Sequence, residues 1–91
     1  MSMRTLEKTL ERELKALANR RRLAIVKFLK EKKEAPVWEI AEKINLSYKA
    51  TSKHLAVLAS ADILEREQRS LEMYYSLAKD LPKSVDRLLH L

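Results

Sequence analysis

The feature that most limits the possible folds of this chain is a pair of helical patterns with almost nothing between them. Apolar side chains recur at the i, i+3, i+4, i+7 spacing of one helix face, at Val37, Ile40, Ala41 and Ile44. A second helical stretch runs from Ser47 to Ala61, and only Asn45 and Leu46 separate the two. Asn45 suits the left-handed residue that ends a helix, and Ser47 suits an N-cap. Two helices joined by so short a turn have the spacing of a helix-turn-helix motif.

The helix predicted from Ser47 to Ala61 has two chemically different faces. Its apolar and small side chains fall within one arc, which comprises Ala50, Thr51, Leu55, Leu58 and Ala61. The opposite arc carries cations, hydroxyls and a methyl group, on Lys49, Ser52, Lys53, Ala56 and Ser60. Because this second arc has neither a carboxylate nor a bulky aliphatic side chain, it has the chemistry that a helix needs in a DNA major groove. We expect the first arc to be buried and the second to be exposed.

The charge balance of the chain favours an anionic partner. Its 91 residues contain 19 Lys and Arg against 13 Asp and Glu, a formal net charge of +6. Such a surface suits nucleic acid, although a merely solvated basic surface would have the same composition. Cysteine is absent, so neither a disulfide nor a thiolate metal site is expected, and the sequence shows no signal peptide or membrane span. We expect one domain, residues 1–91, that is cytoplasmic and has no membrane partner.

The first predicted helix has a narrow apolar stripe. Its members, spaced at the helical period, are Met3, Leu6, Leu10, Leu14 and Leu17. The stripe is narrower than the arc of about 100° that a helix lying on its own core usually presents. It therefore resembles a seam, which could pack against a neighbouring helix of the same chain or against a second copy of the protein.

A second helix is predicted from Arg20 to about Lys32, with Asn19 as its N-cap. Three arginines, Arg20 to Arg22, would lie in its first turn, where the helix dipole disfavours cations. Solvent, a carboxylate or a phosphate would have to compensate them. The residues from Lys32 to Pro36 look like a short polar connection, and Trp38 is expected to close the core beneath it.

A β-hairpin and a last helix follow the second helix of the helix-turn-helix motif. Leu71, Met73, Tyr75 and Leu77 alternate with polar or aromatic neighbours, the period expected of a half-buried strand. The tip, Gln68 to Ser70, lacks the Asn-Gly or Asp-Gly of a tight turn, so we expect a longer, mobile tip with exposed arginines. The last helix has its apolar side chains on one side, at Leu81, Val85, Leu88 and Leu89.

Several segments resemble the ArsR family of bacterial and archaeal transcription regulators. They are LKALANRRRLAIVKFL at Leu14–Leu29, EIAEKINLS at Glu39–Ser47, TSKHLAVLASADIL at Thr51–Leu64 and MYYSL at Met73–Leu77. The resemblance implies a mainly α winged helix-turn-helix fold with a small β-hairpin, in the order of four helices, two strands and a last helix. It also implies a recognition helix at 47–61 and a wing at 65–77.

The same resemblance implies a homodimer that binds double-stranded DNA. Members of the family are typically repressors that bind pseudo-palindromic operators, and many release DNA when a metal or other inducer binds. The first and last helices would form the dimer interface, here through Leu6, Leu10, Leu14, Val85, Leu88 and Leu89. The narrow leucine seam of the first helix agrees with this arrangement.

The chain departs from the family at both of its usual metal sites. Metal-sensing members carry a pair of cysteines near the start of the third helix, where this chain reads Ala35-Pro36-Val37-Trp38. A second family site uses Asp and His ligands on the last helix, and only Asp86 and His90 could be compared with it. We therefore predict no metal and no cofactor, and we leave the effector, if one exists, unidentified.

DNA contacts are predicted on the recognition helix and on the wing. The first two turns of a recognition helix approach base edges, so the predicted contacts there are Ser47, Tyr48, Lys49, Ser52 and Lys53. Tyr48 lies at the edge of the exposed arc and could instead cover the core. Arg66 and Arg69 on the wing would lie against phosphates or reach the minor groove, or would only solubilise the hairpin tip.

No catalytic site is expected. His54 lies in the arc that should be buried, so we interpret it as a buried, hydrogen-bonded structural histidine. Ser52 is two residues away on the same helix and points to another face, which excludes a nucleophile and base pair. Our leading hypothesis is a homodimeric, sequence-specific transcription regulator, most simply a repressor. A winged-helix protein-interaction module is the alternative, and a metal-responsive sensor is the third hypothesis.

Overall fold

The structure, a computed structural model, describes residues 3–90. Its elements in chain order are α1 (Met3–Leu17), α2 (Arg20–Lys32), β1 (Glu34–Pro36), α3 (Val37–Ile44), α4 (Tyr48–Ser60), β2 (Leu64–Arg69), β3 (Glu72–Leu77) and α5 (Lys83–Leu89). The fold class is the predicted one, mainly helical with a small antiparallel sheet. The largest fully buried side chains come from α2, α3, α4, the segment after α4 and α5, and include Ile25, Leu29, Ile40, Leu55, Leu58, Ile63 and Val85.

The predicted order of elements lacked one strand. Glu34–Pro36, expected to belong to a polar connection, forms the edge strand β1 and pairs antiparallel with β3, so the sheet order is β1-β3-β2. Ala35 is buried opposite the buried Tyr75, and this packing stabilises the strand. Pro36 has no backbone N–H, and an edge strand is where a sheet tolerates proline. A strand of three residues is too short to show a period of two in the sequence.

Helix α2 is capped as predicted, and two of its arginines are compensated by other helices. The Asn19 side chain accepts a hydrogen bond from the backbone N–H of Arg22. Arg21 Nη1 donates to the carbonyl oxygen of Ile44 at 2.8 Å and to that of Asn45 at 3.3 Å. The Arg22 guanidinium donates in the same way to carbonyls at the end of α1. Both sets of carbonyls lie at helix C-termini, where the helix dipole is negative and a cation is favourable.

The turn between α3 and α4 has the predicted chemistry. Asn45 takes a left-handed conformation at φ 54° and ψ 54°, and its N–H bonds to the carbonyl oxygens of Ala41 and Glu42. Ser47 precedes α4, and its Oγ accepts from the N–H of Ala50 at 3.1 Å. These two caps end one helix and begin the next within three residues, which confirms the predicted helix-turn-helix.

The tip of the β2–β3 hairpin is shorter than predicted. Arg69 pairs with Glu72, so only Ser70 and Leu71 lie between the two strands. Ser70 supplies the positive φ, 56°, that a tight hairpin turn requires. The Gln68 side chain donates from Nε2 to the Ser70 carbonyl at 2.9 Å, and this hydrogen bond supports a turn that has no glycine.

Trp38 does not close the core as expected. Its side chain is 52% exposed on the outer face of α3, whereas its neighbours Val37 and Ile40 are buried. Because a helix turns 100° per residue, Val37 and Ile40 share the inner face and Trp38 is carried to the outside. Within residues 3–90, no helix is both long enough and apolar enough to cross a membrane.

Candidate nucleic-acid interface

Helix α4 is anchored by the face that the sequence predicted. Thr51, Leu55 and Leu58 are fully buried, and Ala61, which follows the helix, is buried as well. The Thr51 hydroxyl is the one buried side-chain polar atom without a hydrogen-bond partner in the described part of the chain. Tight apolar packing on this side fixes how far the helix is rotated about its axis, and hence which side chains face outward.

The opposite face of α4 is open. Tyr48 is 60% exposed, so the alternative in which it covers the core does not hold. Lys49, Lys53 and Ala56 are exposed, and Ser52 is half-buried between them. Neither this helix nor its cap contains a carboxylate, and the N-terminal N–H groups add positive potential beside Lys49. The result is a cationic, convex face at the N-terminal half of a helix.

His54 lies at the border between the two faces of α4. Its side chain is half-buried, whereas full burial was predicted. Its Nδ1 lies 3.2 Å from Arg22 Nη1. A guanidinium can only donate, so Nδ1 accepts and the imidazole carries its proton on Nε2. Burial lowers the pKa of His54 below its ordinary value, and the charges of Arg22 and Arg21 lower it further. The histidine is therefore a neutral acceptor near pH 7, as a structural role requires.

The two wing arginines differ in their surroundings. Arg69 donates to both carboxylate oxygens of Glu34, at 2.8 and 2.7 Å, and to Glu67 at 2.8 Å. Its guanidinium also lies over the Tyr74 ring, 4.5 Å from the centroid. The hydrogen bonds to Glu34 and Glu67 raise the pKa of Arg69, and the bond from Arg69 lowers the pKa of Glu34. Arg69 is thus not the free tip cation that was expected, whereas Arg66 is exposed.

The seam of α1 remains uncovered by the rest of the protomer. Leu6 is 54% exposed and Leu14 is 49% exposed. With Leu10 and Ala18 they line an open apolar groove of about 560 Å³. Only Leu17, at the end of the predicted stripe, is buried in the core.

Helix α5 contributes less apolar surface than the sequence suggested. Leu88 is exposed, whereas Val85 is fully buried in the core of its own protomer and Leu89 is partly buried against that core. Asp86 and His90 lie one turn apart, with 3.8 Å between the Asp86 carboxylate and His90 Nδ1. Residues 3–90 contain no group of three or more His, Asp or Glu side chains placed to hold a metal ion.

The side chains that tie α4 to its surroundings were not identified from the sequence. Arg22 connects α4 to the end of α1, and Arg12 Nη2 lies 3.2 Å from the Asp62 carboxylate beyond the other end of α4. The one signal in the sequence was the run of arginines in the first turn of a helix, which needed compensating partners. Those partners are backbone carbonyls and an imidazole, and no sequence pattern marks them in advance.

Comparison with known proteins places this arrangement among bacterial regulators. The family model described as "Bacterial regulatory protein, arsR family" matches residues 19–66, from the cap of α2 into the first strand of the wing. The transcriptional activator HlyU from Vibrio cholerae serotype O1 is 35% identical over 77 residues, which are 85% of this chain and 70% of HlyU. The structure of reduced HlyU has a TM-score of 0.80 at 32% identity, and the match covers 97% of this chain and 92% of that one.

Two further solved structures are similar over nearly the whole chain. One is the solution NMR structure of a homodimeric winged helix-turn-helix DNA-binding domain from Mycobacterium bovis, a possible ArsR-family transcriptional regulator. Its TM-score is 0.82 at 32% identity, and the match covers 99% of this chain and 82% of that one. The other is the transcriptional repressor BigR from Xylella fastidiosa, with a TM-score of 0.76, 26% identity, and coverage of 99% and 91%.

Proposed function

This chain belongs to the ArsR family of bacterial regulatory proteins, and we propose that it is a homodimeric, sequence-specific repressor of transcription. The observation that carries the proposal is the cationic open face of α4, anchored on its other side by fully buried side chains. On this proposal Ser47, Tyr48, Lys49, Ser52 and Lys53 contact DNA in the major groove. Arg66 contacts the flanking backbone or the minor groove.

The dimer is proposed to form through α1. The exposed leucines of its seam are the kind of apolar surface that a monomer in water does not favour. A homodimeric relative of similar fold supports a second copy as the occupant. Leu88 on α5 extends the interface, and Leu89 borders it. Val85 is left out because its side chain does not reach the surface.

The proposed operator is a pseudo-palindrome read on one face of the duplex. A two-fold dimer presents its recognition helices to successive major grooves, about 34 Å apart. Two copies with a formal charge of +6 each carry +12 together. Affinity should therefore fall steeply with salt as counterions are released from the phosphates.

Repression is the simpler mode of action for a protein built in this way. Blocking a promoter requires only occupancy of the operator, whereas activation requires an additional productive contact with the transcription machinery. Among the relatives, HlyU is a transcriptional activator and BigR is a transcriptional repressor. Because the ligand is chromosomal DNA, we place the protein in the bacterial cytoplasm.

The role of α4 is tested by removing its two exposed cations. Lys49→Ala and Lys53→Ala should each weaken binding to a selected duplex by about tenfold, the effect of losing one charged hydrogen bond. Lys27→Ala on α2 removes an equal charge from an exposed position outside α4 and is the matched control. Equal affinity for the wild type and both α4 variants would contradict the proposal and favour a protein-interaction module.

A further inference from the structure

Arg22 makes contacts to two different helices from a single guanidinium. Its Nε donates to the Ala16 carbonyl at 2.6 Å, and its Nη2 donates to the Lys15 carbonyl at 3.2 Å. Its Nη1 donates to His54 Nδ1 at 3.2 Å. Lys15 and Ala16 lie near the C-terminal end of α1, and His54 lies in the middle of α4. One half-buried side chain therefore joins the end of α1 to the centre of α4.

The hydrogen bonds of the Arg22 guanidinium are suited to holding α1 and α4 in a fixed relative position. A guanidinium is planar and holds its donors in a rigid fork, so contacts at three of its nitrogens fix its orientation. The C-terminal carbonyls of α1 have no donor within their own helix and carry partial negative charge, which favours a cation there. The neutral imidazole offers a single acceptor. Movement of α4 relative to α1 would break at least one of these hydrogen bonds.

A second side-chain link between these two regions, seen among the residues that the structure describes, is weaker. Arg12 on α1 contacts Asp62 after α4, but 53% of the Arg12 side chain and 80% of the Asp62 side chain are exposed. Ion pairs with this exposure are screened by solvent and contribute little. Of these two links, the half-buried fork of Arg22 is the stronger restraint on the distance between α1 and α4.

We propose that Arg22 is a positioning residue that sets which operator spacing the dimer prefers. In the proposed dimer, α1 joins the two protomers, and Leu14 of its seam immediately precedes the carbonyls that hold Arg22. The separation of the two α4 helices then depends on how rigidly each α4 is held to its own α1. The inference rests on the homodimer of the proposed function and deepens it.

The experiment measures affinity for duplexes that carry two selected half-sites separated by spacings varied one base pair at a time. Each added base pair moves a half-site by about 3.4 Å and rotates it around the duplex, so a rigid dimer favours one spacing. Arg22→Met removes every donor of the fork, and His54→Ala removes only the acceptor on α4. Both should reduce the preference for the best spacing over its neighbours by about tenfold, as expected for one charged hydrogen bond.

Two further variants serve as controls. Arg20→Met removes the same charge from an exposed residue in the same turn of α2, and should lower affinity at all spacings without changing the preference. His54→Asn places an amide oxygen close to the position of Nδ1, so it should restore the preference that His54→Ala loses. A variant that is merely less stable would bind more weakly at every spacing and would keep the wild-type preference.

The outcomes are distinct. If Arg22→Met and His54→Ala remain folded dimers with the wild-type spacing preference, the inference is overturned while the proposed function stands. If Arg22→Met does not fold, His54→Ala decides, because it leaves both carbonyl contacts of Arg22 to α1 in place. If the wild type binds every spacing equally, the role of Arg22 is overturned while DNA binding by a dimer stands. If the wild type binds no duplex, the proposed function and the role of Arg22 fall together.

Discussion

Among residues 3–90, four take backbone conformations that glycine usually supplies, in a chain that contains no glycine. Asn45, Asp62 and Ser70 have φ between 54° and 60°, and short polar side chains tolerate this region. Lys33 is different, because its φ of 83° and ψ of −51° lie outside the left-handed helical region. A residue with a Cβ is strained there, and the N–H of Lys33 still bonds to the Leu29 carbonyl at 3.0 Å.

Replacing Lys33 with glycine should therefore stabilise the protein. We expect Lys33→Gly to raise the free energy of unfolding by about 1 kcal/mol, since glycine lacks the clashing Cβ and keeps the N–H. Urea denaturation measures the change. Asn45→Gly is the control and should change stability less, because asparagine already tolerates its conformation. A Lys33→Gly variant less stable than the wild type would contradict the strain at this residue.

The lowered pKa of His54 predicts how the free energy of unfolding depends on pH. Its pKa in the folded protein lies below the ordinary 6.5, first because of burial and then because of Arg22 and Arg21. The unfolded chain therefore binds the proton more readily, and the free energy of unfolding should fall as pH decreases from about 7.5 to about 5.5. His54→Asn cannot titrate and should show a flatter profile by chemical denaturation. Equal slopes for the two proteins would contradict this assignment.

The wing depends on a contact that spans the three-stranded sheet. Arg69 on β2 reaches across β3 to Glu34 on β1, and it also stacks over Tyr74 of the central strand. This places one wing cation in an internal network and leaves Arg66 for an external partner. Glu65, Glu67 and Glu72 on the same hairpin further limit how closely phosphates can approach it.

The two wing arginines should consequently contribute unequally to DNA binding. Arg66→Ala should weaken binding and reduce the slope of log affinity against log salt by about one phosphate contact. Arg69→Ala, its matched partner on the same strand, should change the slope less. Salt titrations of duplex binding distinguish the two variants. A larger effect for Arg69→Ala would show that the network with Glu34 opens when DNA binds.

What could be predicted from the sequence depended on the length and periodicity of each element. Helices α3 and α4 were predictable because apolar spacing and the caps at Asn45 and Ser47 agreed. Strand β1 was not, because its pairing with β3 depends on residues about 40 positions away along the chain and not on local pattern. For the candidate site, the outward direction of Lys49 and Lys53 followed from the helical period. The hydrogen bonds between Arg69 and Glu34 could not be predicted from the sequence, because only the tertiary fold brings the two residues together.

The uncovered seam of α1 indicates an assembly larger than one chain. Leu6 and Leu14 are about half exposed, and they flank Leu10 along one side of the helix. A two-fold dimer through this seam would bury the leucines of both copies at once. It would also present the α4 face twice, which is what a pseudo-palindromic operator requires.

A charge in the seam should dissociate the dimer. We expect Leu6→Glu to raise the dimer dissociation constant by about a hundredfold, since each copy loses the burial of one leucine, worth about 1.5 kcal/mol. Sedimentation equilibrium measures the change. Leu71→Glu at the hairpin tip, where the leucine is 96% exposed, is the control and should leave the dimer intact. A dimeric Leu6→Glu protein would contradict the α1 interface.

We propose above all that a dimer of this chain reads DNA sequence through two copies of α4. Selection of bound duplexes from a random pool, followed by sequencing, tests it most directly. We expect enrichment of one sequence that occurs as two inverted half-sites, with centres about one helical turn apart. Recovery of duplexes without a common sequence, or with a single half-site that lacks an inverted partner, would contradict it.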